Sequence, residues 1–364
     1  MSEKLVTAIT DLLKERVYFP DYPRYVFFCV YVLYTHVYEV FDQTPYIGIF
    51  GPHASGKSRL ADVLEGLCFK ATQTCDITSA ALFRSVDQEK GTIIIDEGLH
   101  SQNRSDNLNR ILRSGYRRNG RVKCCDPGGS IASFSTYCPK VLVDINEPSE
   151  PALSSRVISM FMTRSPYRMK RFPDSESQPV FRSTTNLIKE FWEENRPALS
   201  EMNRLSDGFD DFLNRDEELW APLLIVSQLL DSKFDKPFFS ETMFSLAQKS
   251  IDSKKRSEME NNLDLQILEG TRAFIEHPKT GPVQGQENLY VAFQIRDFIK
   301  NRWDLRGLST KKVVQTLKLY NVCGERKRPH ILLSGISQPV CYPIDTKILS
   351  EITEKYFDGG EIKC

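Results

Sequence analysis

The sequence predicts an α/β core built on a parallel sheet, followed by an all-α region and a C-terminal winged-helix domain. Three observations predict it. Short apolar runs ("PYIGIF", "TIIID", "PKVLVDIN", "RVISMFM") alternate with helix-spaced segments between about residues 40 and 165, and strands that alternate with helices make a parallel sheet with helices on both faces. From about Thr184 to Glu276 every apolar run has helical spacing, as in "DEELWAPLLIVSQLLDSKF". The chain then closes with two helical patterns and two short strands, "LYVAFQIRDFIKNRW", "STKKVVQTLKLY", "PHILLSG" and "QPVCYPI", before a last helix; two helices followed by a hairpin are the winged-helix pattern.

Taken in order, the elements have local causes. The first 45 residues read as two helices broken by "YFPDYPRY", where two prolines end one helix and start the next. The apolar stretch from Tyr25 to Phe41 contains His36 and Glu39 and is short for a membrane span, so a buried helix is expected. A strand, a glycine-containing loop and a helix from Lys57 to about Leu67 follow. "ITSAALFRSVDQEKG" is a short helix opened by a Thr or Ser cap. "RVKCCDPGGSIASFSTY" reads as two strands around an Asp-Pro-Gly-Gly turn. "RSPYRMKRFPDSESQPVFRS", rich in proline, serine and charge, marks a boundary. The expected organisation is N-terminal helices over 1–45 packed on the core, a core over 46–170, a helical lid region over 183–276 and a winged-helix-like domain over 287–364.

Composition sets few limits. Lys+Arg and Asp+Glu both number 48, so a nucleic-acid or membrane surface has to be a local patch. Nine cysteines without a CxxC, and a charged, amphipathic start without a cleavable signal pattern, lead to the expectation of reduced thiols in a cytosolic protein. No His/Cys/acid group has convincing zinc spacing.

The chemistry concentrates in two motifs. "GPHASGKS" meets the spacing G-x-x-x-x-G-K-[ST] at Gly51, Gly56, Lys57 and Ser58. Such a loop turns successive backbone N–H groups onto phosphates, and the following helix adds its positive N-terminal end. Gly51, Pro52, His53, Ala54, Ser55, Gly56, Lys57, Ser58 and Arg59 are therefore the candidate ATP-binding residues. Lys57 is expected on the β- and γ-phosphates and the Ser58 hydroxyl on Mg²⁺. "TIIIDEG" is a buried β run that delivers Asp96 and Glu97 to the same sheet edge. Asp96 is expected in the Mg²⁺ shell, and Glu97 is expected to polarise the attacking water. "VLVDIN" ends in Asn146, placed to hydrogen-bond the γ-phosphate or that water.

The motif order "FDQTPYIGIFGPHASGKSRLADVL", "DITSAALFRSV", "TIIIDEG", "NRILRSGYRRNGRV", "CPKVLVDI" and "PALSSRVISM" resembles an AAA+-like P-loop ATPase family encoded on phages, plasmids and integrative elements, often beside primases. "LNRDEELWAPLLIVSQLL" and the terminal winged-helix segment are similar to it as well, so the resemblance spans nearly the whole chain. It implies a ring-forming ATPase serving replication or maintenance of mobile DNA. It also implies that Arg156, in "ALSSRV", reaches into the neighbouring subunit's site as a catalytic arginine, with Arg117 and Arg118 as rivals for that role. DNA contacts are expected at Lys311, Lys312, Arg326, Lys327 and Arg328 of the winged helix and at Lys123 of the core hairpin, the alternative for each being an ordinary solvated or protein-binding surface. Two functions stand side by side: a DNA helicase or translocase, and an ATP-switched regulatory module that controls a protein effector such as a nuclease.

Overall fold

The computed structural model describes residues 1–75, 77–96, 105–125, 130–170, 177–212, 214–329, 332–333 and 336–357. It forms two compact units, Met1–Ser250 and Ile251–Cys364.

The first unit opens with α1 (Ser2–Arg16) and α2 (Tyr22–Thr35), separated by the expected proline break; Asp21 caps α2 by accepting the Arg24 N–H at 3.3 Å. Every residue from Tyr25 to Thr35 is buried, which accounts for the all-round apolar character of α2. No helix among the described residues is long and apolar enough to cross a membrane. The core continues as β1 (Tyr46–Phe50), α3 (Lys57–Leu67), β2 (Thr72–Thr74), α4 (Ser79–Glu89), β3 (Ile93–Asp96), α5 (Ser105–Ser114), β4 (Arg121–Cys125), β5 (Ile131–Ser135), β6 (Lys140–Asp144), α6 (Pro151–Ser154) and β7 (Val157–Phe161). Helices α7 (Ser177–Leu205) and α8 (Arg215–Asp231) follow, and the unit ends within α9 (Phe238–Asn261).

Five strands form one parallel sheet in the order β2-β3-β6-β1-β7. The inner strands β1, β3 and β6 are buried at every position, as a sheet covered on both faces requires. Because β6 inserts between β1 and β3, its C-terminal end emerges between the ends of the two motif-bearing strands. Strand β2 carries no readable pattern: it is only "TQT", and the open edge of β3 recruits its backbone through the Thr72↔Ile93 register. Strands β4 and β5 form a separate antiparallel hairpin whose Arg121 and Lys123 are exposed. The hairpin is held to α4 by the Ser135 N–H donating to Asp87 at 2.8 Å and by the Phe83–Phe134 ring pair.

The boundary between the units falls inside the helical stretch 183–276. Helices α7 and α8 lie in the first unit, and α10 (Leu263–Glu276) lies in the second. The second unit continues with β8 (Leu289–Val291), α11 (Ala292–Trp303), α12 (Thr310–Leu319), β9 (Leu332–Leu333), β10 (Ile336–Ser337), β11 (Cys341–Pro343) and α13 (Thr346–Phe357). Leu289, Tyr290 and Val291, expected as the start of a helix, instead form a strand antiparallel to β11. All three are buried, and strand pairing outweighs helical spacing there. Helices α10, α11 and α12 close a core of Leu268, Ile295, Ile299, Val313 and Leu317.

Candidate functional site

The loop between β1 and α3 has the backbone its sequence calls for. Gly51 sits at φ +145°, and a Cβ there would lie 2.4 Å from the Met162 carbonyl oxygen. Gly56 caps α3 in the left-handed region at φ +92°. Lys57 is buried and its Nζ donates to the carbonyls of Gly51 (2.8 Å) and Pro52 (2.9 Å), so its ammonium arches over the loop. The Ser55 hydroxyl is buried with no hydrogen-bond partner among the described residues. An unsatisfied hydroxyl, a concave backbone and the free N–H groups of a helix start together fit a phosphate chain. Ser58 is exposed at the first turn of α3.

The acids arrive from the neighbouring strands. Asp96 ends β3, is buried, and accepts a 3.4 Å hydrogen bond from Gln73 of β2. Asp144, which the motif reading passed over, ends β6 one register step on from the Asp96↔Val143 pair and is also buried. Its one sequence signal is an acid closing the apolar run "VLVD". The Asp144 Oδ1 accepts the Ile145 N–H at 2.6 Å, and the Gly51 N–H donates to the Ile145 carbonyl at 3.2 Å. The phosphate loop is thereby tied to the end of β6. Asn146 is the next residue, exposed and just past the strand. Burial raises the Asp62 carboxyl above its usual range; a hydrogen bond from Gln73 opposes the shift, and Glu65 and Asp96 add to it. Glu97 lies outside the described residues. Among the described residues no cluster of three or more His, Cys, Asp or Glu forms a metal cage. Ser58 and Asp96 instead suit Mg²⁺, which takes one or two protein oxygens and completes its shell with phosphate and water.

A cavity of about 740 Å³ opens beside the loop, between Ala54–Gly56, the end of α1 and the segment after β7. That segment, expected as a domain boundary, is laced across the loop. Arg164 Nε donates to the His53 carbonyl (3.3 Å), Arg59 Nη1 to the Lys170 carbonyl (3.2 Å), and the Lys170 N–H to the Glu15 carbonyl (3.1 Å). Tyr18 and Tyr167 both line the cavity and meet in a T-shaped contact, ring centroids 6.1 Å apart. An aromatic pair next to a phosphate loop suits a planar base, since either ring offers a stacking face. Sequence reasoning missed both tyrosines; the faint signal was Tyr167 amid the arginines of "RSPYRMKR". Tyr18→Ala and Tyr167→Ala are each expected to weaken binding of a fluorescent ATP analogue about tenfold, one lost stacking contact being worth roughly 1–3 kcal/mol. Turnover at saturating ATP should stay unchanged.

Other expected residues stand elsewhere. Arg156 precedes β7 at the N-terminal edge of the sheet, opposite the loop; its carbonyl accepts the Tyr46 N–H at 3.2 Å. Arg118 is committed to backbone: its guanidinium donates to the carbonyls of Phe41 (2.8 Å) and Glu39 and pairs with Asp42 (3.2 Å). Arg117 pairs with Glu218 at 2.7 Å. In the second unit, Lys312 is bound to Asp264 at 2.7 Å and Lys318 to Glu325 at 3.4 Å, whereas Lys311, Arg326, Lys327 and Arg328 are exposed.

No protein-family model and no curated protein matches this chain. Among solved structures it is similar to the C-terminal region of NrS-1 in its apo A form, at 11% identity and a TM-score of 0.40, over 94% of this chain and 74% of that one. It is also similar to the ORC2 protein of Aeropyrum pernix in its ADP form, at 11% identity and a TM-score of 0.27, over 96% and 97% of the two chains. The ORC1 protein of Aeropyrum pernix in complex with DNA shares 12% identity, with a TM-score of 0.21, over 85% and 86%.

Proposed function

We propose that this chain is a Mg²⁺-dependent, AAA+-like ATPase that assembles as a ring and acts on DNA as a helicase or translocase. The observation that carries the ATPase reading is the convergence of the Gly51–Ser58 loop, Asp96 and the Asp144–Asn146 turn on one edge of the parallel sheet. In that reading the loop amides and Lys57 hold the phosphates, Ser58 and Asp96 hold the metal, and Tyr18 and Tyr167 hold the base. Bound Mg²⁺ would neutralise charge on the β- and γ-phosphate oxygens. Glu97, one residue beyond Asp96, orients the attacking water and takes up its proton. Asn146 hydrogen-bonds that water or the γ-phosphate. Arg156, on the far edge, serves a neighbouring copy's site.

The DNA role rests on the second unit. Its order of helix, strand, two helices and a returning strand, with β8 paired to β11 and Lys327 bridged to Cys341, supports a winged helix. The exposed set Arg326, Lys327 and Arg328 lies between α12 and β9 and suits phosphate contact. One observation favours the alternative, an ATP-switched module with a protein effector. Lys312 and Lys318 of α12 are engaged by acids of their own unit, which leaves the helix that would read a groove with less free charge.

The test is ATP hydrolysis with and without single- and double-stranded DNA. Stimulation is expected for the motor. Arg326→Ala, Lys327→Ala and Arg328→Ala combined should weaken DNA binding on all sequences alike and reduce the log–log salt slope by about one unit per lost phosphate contact. ATP turnover without DNA should be unaffected. A wild-type chain that shows no DNA binding at low salt, with ATP analogue present, would leave the regulatory module as the reading.

A further inference from the structure

Strand β2 differs from the other four strands of the sheet in having no apolar residue: Thr72, Gln73 and Thr74 are all polar. Alternation along a strand sends the threonines to one face and Gln73 to the other. Thr72 Oγ1 donates to Glu89 of α4 at 3.2 Å, whereas Gln73 turns to α3. In the parallel register Gln73 pairs with Ile94. Asp96 lies two residues beyond Ile94 on β3 and therefore shares the face of Gln73.

Three carboxylates converge on Gln73. Its backbone N–H donates to Glu65 Oε1 at 2.9 Å, its Nε2 donates to Asp96 Oδ2 at 3.4 Å, and its side chain hydrogen-bonds Asp62. Asp62 follows Ser58 by four residues, one turn further along the same face of α3. A primary amide carries two N–H groups, so one glutamine can serve Asp96 and Asp62 together. It is also uncharged. A lysine in its place would cancel the negative charge that draws a divalent cation, and a glutamate would add a further repelling carboxylate. The amide orients the acids and leaves their charge in place.

We propose that Gln73 is a positioning residue for the divalent-metal site: it holds Asp96 of β3 to α3, the helix that carries Ser58, so that the two metal-holding side chains are set on one brace. The inference rests on the ATPase reading above, in which Ser58 and Asp96 hold Mg²⁺. It gives the polar edge strand a purpose that apolar packing does not supply. Asp62 anchors the second N–H of the amide. Carboxylates that bind metals are themselves held by hydrogen bonds, and removal of such a partner weakens metal affinity about 10–100-fold.

The test uses the full chain and a non-hydrolysable ATP analogue. Mn²⁺ binding is followed by electron paramagnetic resonance, analogue affinity is measured in EDTA by fluorescence, and ATP turnover is titrated with Mg²⁺. Gln73→Met keeps the length of the side chain and loses its donors. It should raise the metal concentration at half-saturation about 10–100-fold. Its analogue affinity in EDTA should stay within about threefold of wild type, since the phosphate loop is untouched. Raised Mg²⁺ should restore turnover, a recovery that a general folding defect would not show. Gln73→Asn keeps the amide one methylene short and should fall between the two; it carries the same comparisons if the methionine variant does not fold. Because Gln73 acts through Asp96, adding Gln73→Met to Asp96→Asn should weaken metal binding by less than about a further twofold.

The positioning role is overturned by wild-type metal affinity in Gln73→Met, by a full additional loss in the double variant, or by a turnover defect that Mg²⁺ does not relieve. If the wild type binds no Mn²⁺ with the analogue present, the metal assignment itself fails and the role of Gln73 falls with it. A wild type that binds Mn²⁺ alongside a Gln73→Met protein that binds it equally refutes the role of Gln73 alone.

Discussion

Glu97→Gln should bind ATP as tightly as the wild type and hydrolyse it about 10²–10⁴-fold more slowly, an increase of about 3–5 kcal/mol in the barrier. The glutamine keeps the size and one hydrogen bond of the glutamate and loses the capacity to take a proton. Glu97 follows Asp96 in the sequence, and Asp96 is the buried last residue of β3, the strand next to the one whose following turn is bonded to Gly51 through Ile145. Lys57→Ala should behave differently. In the proposed site the lysine would hold the phosphates in ground and transition states alike, so its removal should weaken affinity itself. Titration calorimetry and single-turnover hydrolysis separate the two. A Glu97→Gln protein with the wild-type rate would assign the water to another group, and Asp144, buried at the neighbouring strand end, would be the first to examine.

Trp220→Ala should destabilise the first unit by about 3–5 kcal/mol, the range for removing a buried tryptophan. Trp220 on α8 is 1% exposed and meets Phe27 of α2 edge-on at 5.9 Å between ring centroids. It fills space that α2, apolar on every side, cannot leave to water. In calorimetry the transition of this unit should fall on the order of 10 °C. An unchanged transition would mean that α8 is not part of the unit's cooperative core.

Much of this architecture was legible in the chain because its causes are local. Two prolines, with Asp21 as cap, delimit α1 and α2, and Thr78 starts α4 by accepting the Ala81 N–H. Gly51 and Gly56 occupy backbone states that other residues adopt only under strain. Buried runs such as "YIGIF" and "KVLVD" have the continuous apolar character of inner parallel strands. Elements that exist only through a partner were not legible. Strand β2 is three polar residues adopted by β3, and β8 is a strand because β11 lies beside it.

The site divides in the same way. The sequence by itself determined where the candidate loop, the acid at the end of β3 and the polar residue after β6 fall, since each depends on spacing along one segment. Only the tertiary structure decided which segments meet. It inserted β6 between β1 and β3, so that Asp144 joined Asp96, and it folded residues 164–170 back over the loop, so that Tyr167 met Tyr18. It also bound Arg118 to the carbonyls of Glu39 and Phe41 and set Arg215 against Arg156 on the Tyr116 ring. Spacing along a chain records bonds between near neighbours; contacts between residues a hundred positions apart arise only when burial of apolar surface selects one packing, and those contacts assign each charge its partner.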